Sequence, residues 1–325
     1  MMPELIAFVL LLGITAYSTA GGVDFGAGIW DLLAGQSPRG KKARELIDHA
    51  MAPVWEMNNV WLVLSIVVVW TGFPLLFQTV FSALYAIYAL ALLGLILRGA
   101  FFAFRHVAGE PRTHRIADLV FGVSSVLTPF FFAASLGAIA AGDLRVFSPM
   151  TVAFGLVSLA ATAFSGASFL VADARRYGAT ELVGYFQRRA VVAAVALIVV
   201  GTLALAAIAS ENPGLFKAML AGKGLPFALA TMVLTPVAAF LIWRGTFRWH
   251  RVLTVGAVGS MVFAWAFAQS PYLIPGRLTI DQAIAPTPTQ VLLLVVTVVL
   301  VLVIVPAIGL LVYLDQRGAL ESPQS

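Results

Sequence analysis

Nine apolar runs, each long enough to cross a hydrocarbon layer of about 30 Å, dominate this chain and leave little room for any fold but a bundle of membrane helices. They cover roughly residues 5–33, 53–73, 76–104, 116–141, 149–172, 190–210, 225–243, 248–269 and 290–314. Runs this long are helices, since a barrel strand would alternate apolar and polar residues over about ten positions. Only 11% of residues are charged and 61% are hydrophobic, whereas soluble domains carry about 25% charged residues. The expectation is an all-α, polytopic integral membrane protein with nine transmembrane helices, forming one membrane domain over 1–325. The longest loops, around 211–224 and 270–289, are too short to fold alone. Gly72-Phe-Pro74 predicts a tight turn between the second and third spans.

Basic residues set the direction of the bundle, because arginine and lysine accumulate on the cytoplasmic side. One side collects Arg39, Lys41, Lys42, Arg44, Arg98, Arg105, Arg112, Arg115, Arg175, Arg176, Arg188, Arg189, Arg244, Arg248, Arg251 and Arg317. The other holds only Arg145, Lys217, Lys223 and Arg277. A split of sixteen to four predicts an N-terminus outside and a C-terminus in the cytoplasm. The first run lacks a preceding basic segment, so it reads as a retained span and not a cleaved signal. Topology also explains the net charge of +5 without any nucleic acid.

Two acids stand out against this apolar background. Asp24 lies twenty residues beyond Glu4, hence about 30 Å along a helix, near the far face of the bilayer. Glu56 opens the next, antiparallel span, so both acids are expected at one membrane level. Intramembrane acids are costly unless paired, and they mark proton or ion paths. An equally open alternative is that Asp24 pairs with a basic residue of a neighbouring helix and fixes packing. Gly21, Gly22, Gly26 and Gly28 around it would let such a helix approach closely, and Asp31, seven residues on, shares its face. Glu56 has its own bland account as an acid complementing a helix N-terminus. Asn58 and Asn59 follow it and can orient a carboxyl or a water. Asp118 and Asp173 read as interfacial ion pairs beside Arg115 and Arg175.

Other chemistry is missing from the sequence. There are no cysteines, which removes disulfides, iron–sulfur clusters and thiolate metal sites. His49, His106, His114 and His250 all fall at helix ends or in basic loops, away from where a haem iron would need an axial ligand. Neither a zinc motif nor a phosphate loop occurs. The methionines in or beside spans read as packing.

Together these motifs resemble a family. Gly22-Val-Asp-Phe-Gly-Ala-Gly28 is similar to the Gly-Phe-Asp-Leu-Gly-Val-Gly element of subunit II of cytochrome bd-type quinol oxidases. Trp55-Glu-Met-Asn-Asn-Val-Trp-Leu62 resembles that family's Trp-Asp-Gly-Asn-Glu/Gln-Val-Trp-Leu. Phe73-Pro74, Phe81-Ser82, Leu97-Arg-Gly99 and Phe104-Arg105 follow its order, as do Tyr272-Leu-Ile-Pro275 and Leu278-Thr-Ile280. The chain departs from the pattern where Gly21 and Gly22 stand in place of an acid, and where Glu56, Met57 and Asn59 replace Asp, Gly and Glu or Gln.

The resemblance implies two four-helix bundles plus one extra helix. It implies a haem-free subunit, without cofactor or metal of its own, beside a subunit I that carries haems b and d and oxidises quinol. It leaves room for a small single-helix subunit. It further implies that Asp24 and Glu56, with Asn58, Asn59 and Asp31 as lesser candidates, belong to a cytoplasmic proton pathway in a prokaryotic inner membrane. A stand-alone secondary transporter or proton channel is the competing class, though transporters favour broken helices, internal repeats and mid-membrane sites. A purely structural assembly partner is the third reading.

Overall fold

The computed structural model describes residues 1–51, 55–107 and 111–316. The side chains of 55–57, 106–107, 111–114, 304, 305, 308 and 311–316 lie outside that description, Glu56, His106 and His114 among them. α1 (Met2–Ala16) runs through a wide turn at Tyr17–Gly21 into α2 (Gly22–Leu32). A short connection leads to α3 (Pro38–Met51), the basic helix of the first loop. α4 (Trp55–Val67) ends in a second wide turn, Val68–Gly72. α5 (Pro74–Ala83) and α6 (Tyr85–Val107) follow, then α7 (Pro111–Ala141), α8 (Pro149–Arg176) and α9 (Thr180–Glu211). The chain ends with α10 (Pro213–Ala221), α11 (Leu225–Trp243), α12 (His250–Gln269), a small antiparallel hairpin of β1 (Tyr272–Ile274) and β2 (Leu278–Thr279), α13 (Ile280–Ala283) and α14 (Thr287–Gln316).

Seven described helices are long and apolar enough to cross a membrane, and an eighth results if the bent pair Asn58–Gly72 and Pro74–Ala83 is one span. The ninth expected run falls in α14, whose apolar part Thr287–Val303 is described. The run expected over 76–104 is not one helix. Phe73 leaves helical geometry at φ −130° and ψ 62°, and Pro74 cannot continue the preceding hydrogen-bond ladder. α5 therefore turns aside by 112°, and only α6 makes the crossing.

Neighbour relations divide the spans into two groups. α1 packs on α4, α6 on α7 and α7 on α2, while α8, α9, α11 and α12 form a closed ring of contacts. α2 and α7 join the groups through α8, and α14 leans on α1 and the turn Val68–Gly72. The α2–α8 seam is backbone against backbone. A Cβ built on Gly26 would lie 1.9 Å from the Thr162 carbonyl oxygen, and one on Gly166 would lie 2.4 Å from the Gly26 carbonyl carbon. Without a hydrophobic drive between helices in lipid, such small-residue contact supplies dispersion energy. Trp30 locks the seam by donating its indole N–H to the Ala163 carbonyl at 2.8 Å.

Candidate functional site

Asp24 sits on α2 where three helices meet, and its side chain turns to α6. Arg98 donates through Nη1 to Asp24 Oδ2 at 2.7 Å and through Nη2 to Oδ1 at 3.0 Å. Nη2 also reaches the Asp24 backbone carbonyl at 3.0 Å, and Nε reaches Ser125 Oγ of α7 at 3.0 Å. Arg98 is 1% exposed and Asp24 4%. The guanidinium lies between two rings, its Cζ 4.8 Å from the centroids of both Phe25 and Phe121. Fork-to-fork pairing of this kind is the strongest geometry open to a carboxylate and an arginine, and it engages both carboxylate oxygens of Asp24.

Two helical turns nearer the basic end, the arrangement repeats. Arg105 lies seven residues after Arg98 on α6, and Asp31 seven after Asp24 on α2. Arg105 Nη2 meets Asp31 Oδ1 at 3.2 Å. Its other nitrogens face Asp48 of α3 at 3.3 Å and Asp118 of α7 at 3.4 Å. Arg44 approaches Asp118 at 3.9 Å and the Asp31 carbonyl at 3.5 Å. Phe121 serves both rungs, since Arg105 Cζ is 4.9 Å from its centroid. Burial falls along the series: Asp31 is fully enclosed, whereas the side chains of Asp118 and Asp48 are 16% and 33% exposed. Charge therefore continues from the basic surface to Asp24 through two guanidinium rungs.

α4 stands on the other side of α1. A Cβ on Gly13 would lie 2.7 Å from Ser65 Oγ, so nine residues back along α4 and nine on along α1 bring position 56 level with Gly22. The Glu56 side chain is outside the described residues. Asn58 is 3% exposed, and neither its oxygen nor its nitrogen finds a hydrogen-bond partner among the described residues; Asn59 is half-buried.

Sequence reasoning missed the two arginines. It counted Arg98 and Arg105 among loop charges, but both are buried, so fourteen loop cations against four remain to set direction. The signal was present: two acids and two arginines at the same seven-residue spacing, on spans that run the same way. Asp118 and Asp173 do form ion pairs, with partners on other helices. Asp118 faces Arg105 and Arg44, and Arg251 Nη2 bonds Asp173 at 2.5 Å. At the surface, Lys42 meets Glu181 at 2.6 Å, and the hydrogen bond to that carboxylate pushes the pKa of the lysine ammonium up.

Buried His250 uses both ring nitrogens locally, Nδ1 at 3.0 Å from the Phe247 carbonyl and Nε2 at 2.9 Å from that of Ser168. Among the described residues no group of three or more histidine, aspartate or glutamate side chains is arranged to hold a metal.

Known proteins share this frame. The chain has 28% identity over 109 residues with cytochrome bd ubiquinol oxidase subunit 2 of Bacillus subtilis, covering 34% of this chain and 31% of that protein. With cytochrome bd-I ubiquinol oxidase subunit 2 of Escherichia coli K12 it has 25% over 182 residues, covering 51% and 46%. It thus spans between about a third and a half of the length of these curated relatives. The structure of bd oxidase from Geobacillus thermodenitrificans superposes with a TM-score of 0.76 at 21% identity, over 97% of this chain and 98% of that one, which shows a common fold. The sequence profile of cytochrome bd terminal oxidase subunit II matches residues 2–314, and with nearly the whole chain inside that match, this multi-pass membrane protein belongs to the subunit II family.

Proposed function

We propose that this chain is the haem-free subunit of a bd-type quinol:oxygen oxidoreductase, in which a partner subunit I carries haems b and d. The assembled enzyme oxidises quinol and reduces oxygen to water. Membership of the family along residues 2–314 is the observation that carries the reading. The N-terminus faces outward and the basic end faces the cytoplasm, a direction supported by fourteen loop cations against four.

On that basic end the acids take part in proton uptake. Glu56 and the buried amide of Asn58 lie on one helix; Asp31 and Asp24 lie on another, linked by Arg105 and Arg98. Asn58, with no partner inside the described chain, is placed to hold a carboxyl or a water. Asp24 has both oxygens engaged by Arg98, so it passes a proton only when that fork opens. The same fork favours a second reading, in which the Asp24–Arg98 pair organises the helices and Glu56 carries the proton.

Co-purification and haem spectroscopy test the assignment. The tagged chain should bring down a haem-bearing membrane subunit with quinol-dependent oxygen consumption, and the chain expressed alone should show no Soret band. Stoichiometric haem in the isolated chain would overturn it.

A further inference from the structure

We infer that the basic end of the α9–α11–α12 group holds an anionic phospholipid, with its headgroup on Arg188, Arg244 and Arg248. These three side chains are exposed, and no carboxylate lies within ion-pair reach of any of them among the described residues. The sequence explains why. No aspartate or glutamate occurs between Glu181 and Glu211, nor between Glu211 and Asp281. The nearest acids on this face are already taken, Glu181 by Lys42 and Asp173 by Arg251. A cluster of cations without internal anions calls for anions from outside, and a headgroup is the anion available at a membrane surface.

Local geometry gathers the three arginines. Gln187 donates its amide N–H groups to the carbonyls of Ile242 and Trp243 at 2.7 and 2.9 Å. That bond ties α9 to the C-terminal end of α11 and puts Arg188 at the level of Arg244. It also occupies the last carbonyls of α11, which would otherwise compete for the guanidinium groups. Arg244 lies over Phe240 and Trp243, with Cζ 5.3 and 5.9 Å from the two centroids, and Arg248 over Trp249 at 5.7 Å. Trp243 and Trp249 are 63% and 56% exposed, as expected of indoles at headgroup depth. Beyond the arginines the packed helices α9 and α11 present Val192, Val195, Val233 and Val237 outward, an apolar seam suited to acyl chains. Headgroup cations, interfacial indoles and an acyl seam thus align along one membrane normal.

The test uses the full chain purified with its accompanying subunits and placed in phosphatidylcholine nanodiscs. Spin-labelled cardiolipin is compared with spin-labelled phosphatidylcholine, and the immobilised fraction is read by electron paramagnetic resonance. Cardiolipin should be enriched around the wild type. Replacing Arg188→Gln, Arg244→Gln and Arg248→Gln should lower its relative association constant by about fivefold per arginine. Lys217→Gln with Lys223→Gln, at the opposite end, should leave it unchanged. Equal enrichment in the triple variant overturns the site, as does a wild type without preference, which is the result if a partner chain covers the patch. Should the triple variant fail to assemble, added salt on the wild type decides: an exposed headgroup site loses its preference as ionic strength rises, and a salt-independent preference overturns the inference.

Discussion

Replacing Asp24 by asparagine separates an ion-pair role from a proton-carrying one. Asp24→Asn keeps one acceptor oxygen for Arg98 but turns an amide NH2 towards its second donor, leaving a guanidinium charge buried at 1% exposure. Only the Asp24 backbone carbonyl and Ser125 Oγ remain as undisturbed partners. Breaking a buried pair in this way costs about 3–5 kcal/mol, and the surviving acceptor puts Asp24→Asn near the lower end. Each 1.36 kcal/mol is a factor of ten, so the ratio of folded to unfolded chain should fall by about two orders of magnitude or more. Yield of assembled complex and its melting temperature should both drop. Adding Arg98→Met removes the stranded charge, and since a buried pair is often replaceable by apolar residues of similar volume, assembly should recover. Oxygen consumption per haem in the double variant then decides whether Asp24 relays protons. A low value assigns proton transfer to Asp24, and a restored value assigns the pair to architecture. If Asp24→Asn alone assembles and melts like the wild type, the ion-pair reasoning is wrong.

The second rung predicts an asymmetry between its arginines. Arg105 serves three carboxylates and is buried, while Arg44 is partly exposed and approaches one. Arg105→Gln should therefore lower the melting temperature clearly more than Arg44→Gln, and equal shifts would contradict the assignment of Arg105 as the hub. At the α2–α8 seam, Gly26→Ala puts a methyl 1.9 Å from the Thr162 carbonyl oxygen. Overpacking of a core typically costs about 1–3 kcal/mol, and here the obstacle is backbone, so assembled yield should fall; a fully assembled Gly26→Ala complex would show that the helices can part.

Much of the fold was legible because bilayer crossing imposes length and hydropathy, and the sequence carries both openly. The runs at 225–243 and 248–269 each match one helix of the structure to within two residues, and those at 116–141, 149–172 and 190–210 each fall inside one longer helix. The third run misled because apolar residues continue through Pro74 and Leu84, and hydropathy does not report a bend of 112°. Asp24 was legible as an acid that needs a partner, and the glycines around it as a close-packing surface. The identity of the partner was not. Arg98 and Arg105 lie near a helix end, where a charge count takes them for loop residues, and only their match to Asp24 and Asp31 in spacing and direction reveals them as interior.

Why Asp24 faces Arg98 at all traces to the wide turn at Tyr17–Gly21. Gly13 faces α4, against Ser65. In an uninterrupted helix, eleven residues at about 100° each would return Asp24 to within about 20° of that direction, towards α4 and away from α6. The turn at Tyr17–Gly21 is π-helical, which amounts to one residue inserted into the ladder, and it absorbs about 100° of rotation. α2 is thereby re-aimed by roughly a quarter turn, and Asp24 meets Arg98 and α7. Tyr-Ser-Thr-Ala-Gly carries no pattern that announces this, although Thr19 bonding back to the carbonyls of Thr15 and Ala16 at 2.9 and 3.1 Å marks the strain on the ladder. Two single-residue deletions test whether the turn aims the acid. Deleting Ala20 removes the inserted residue, converts the turn to regular helix and leaves the flanking segments in their present phase, so the Asp24–Arg98 pair should survive. Deleting Ile14 from the regular part of α1 should instead rotate the residues before it out of register with α4. Assembled yield should be near wild type for the first deletion and lost for the second. If the Ala20 deletion behaves like Asp24→Asn, the wide turn is not what aims the acid.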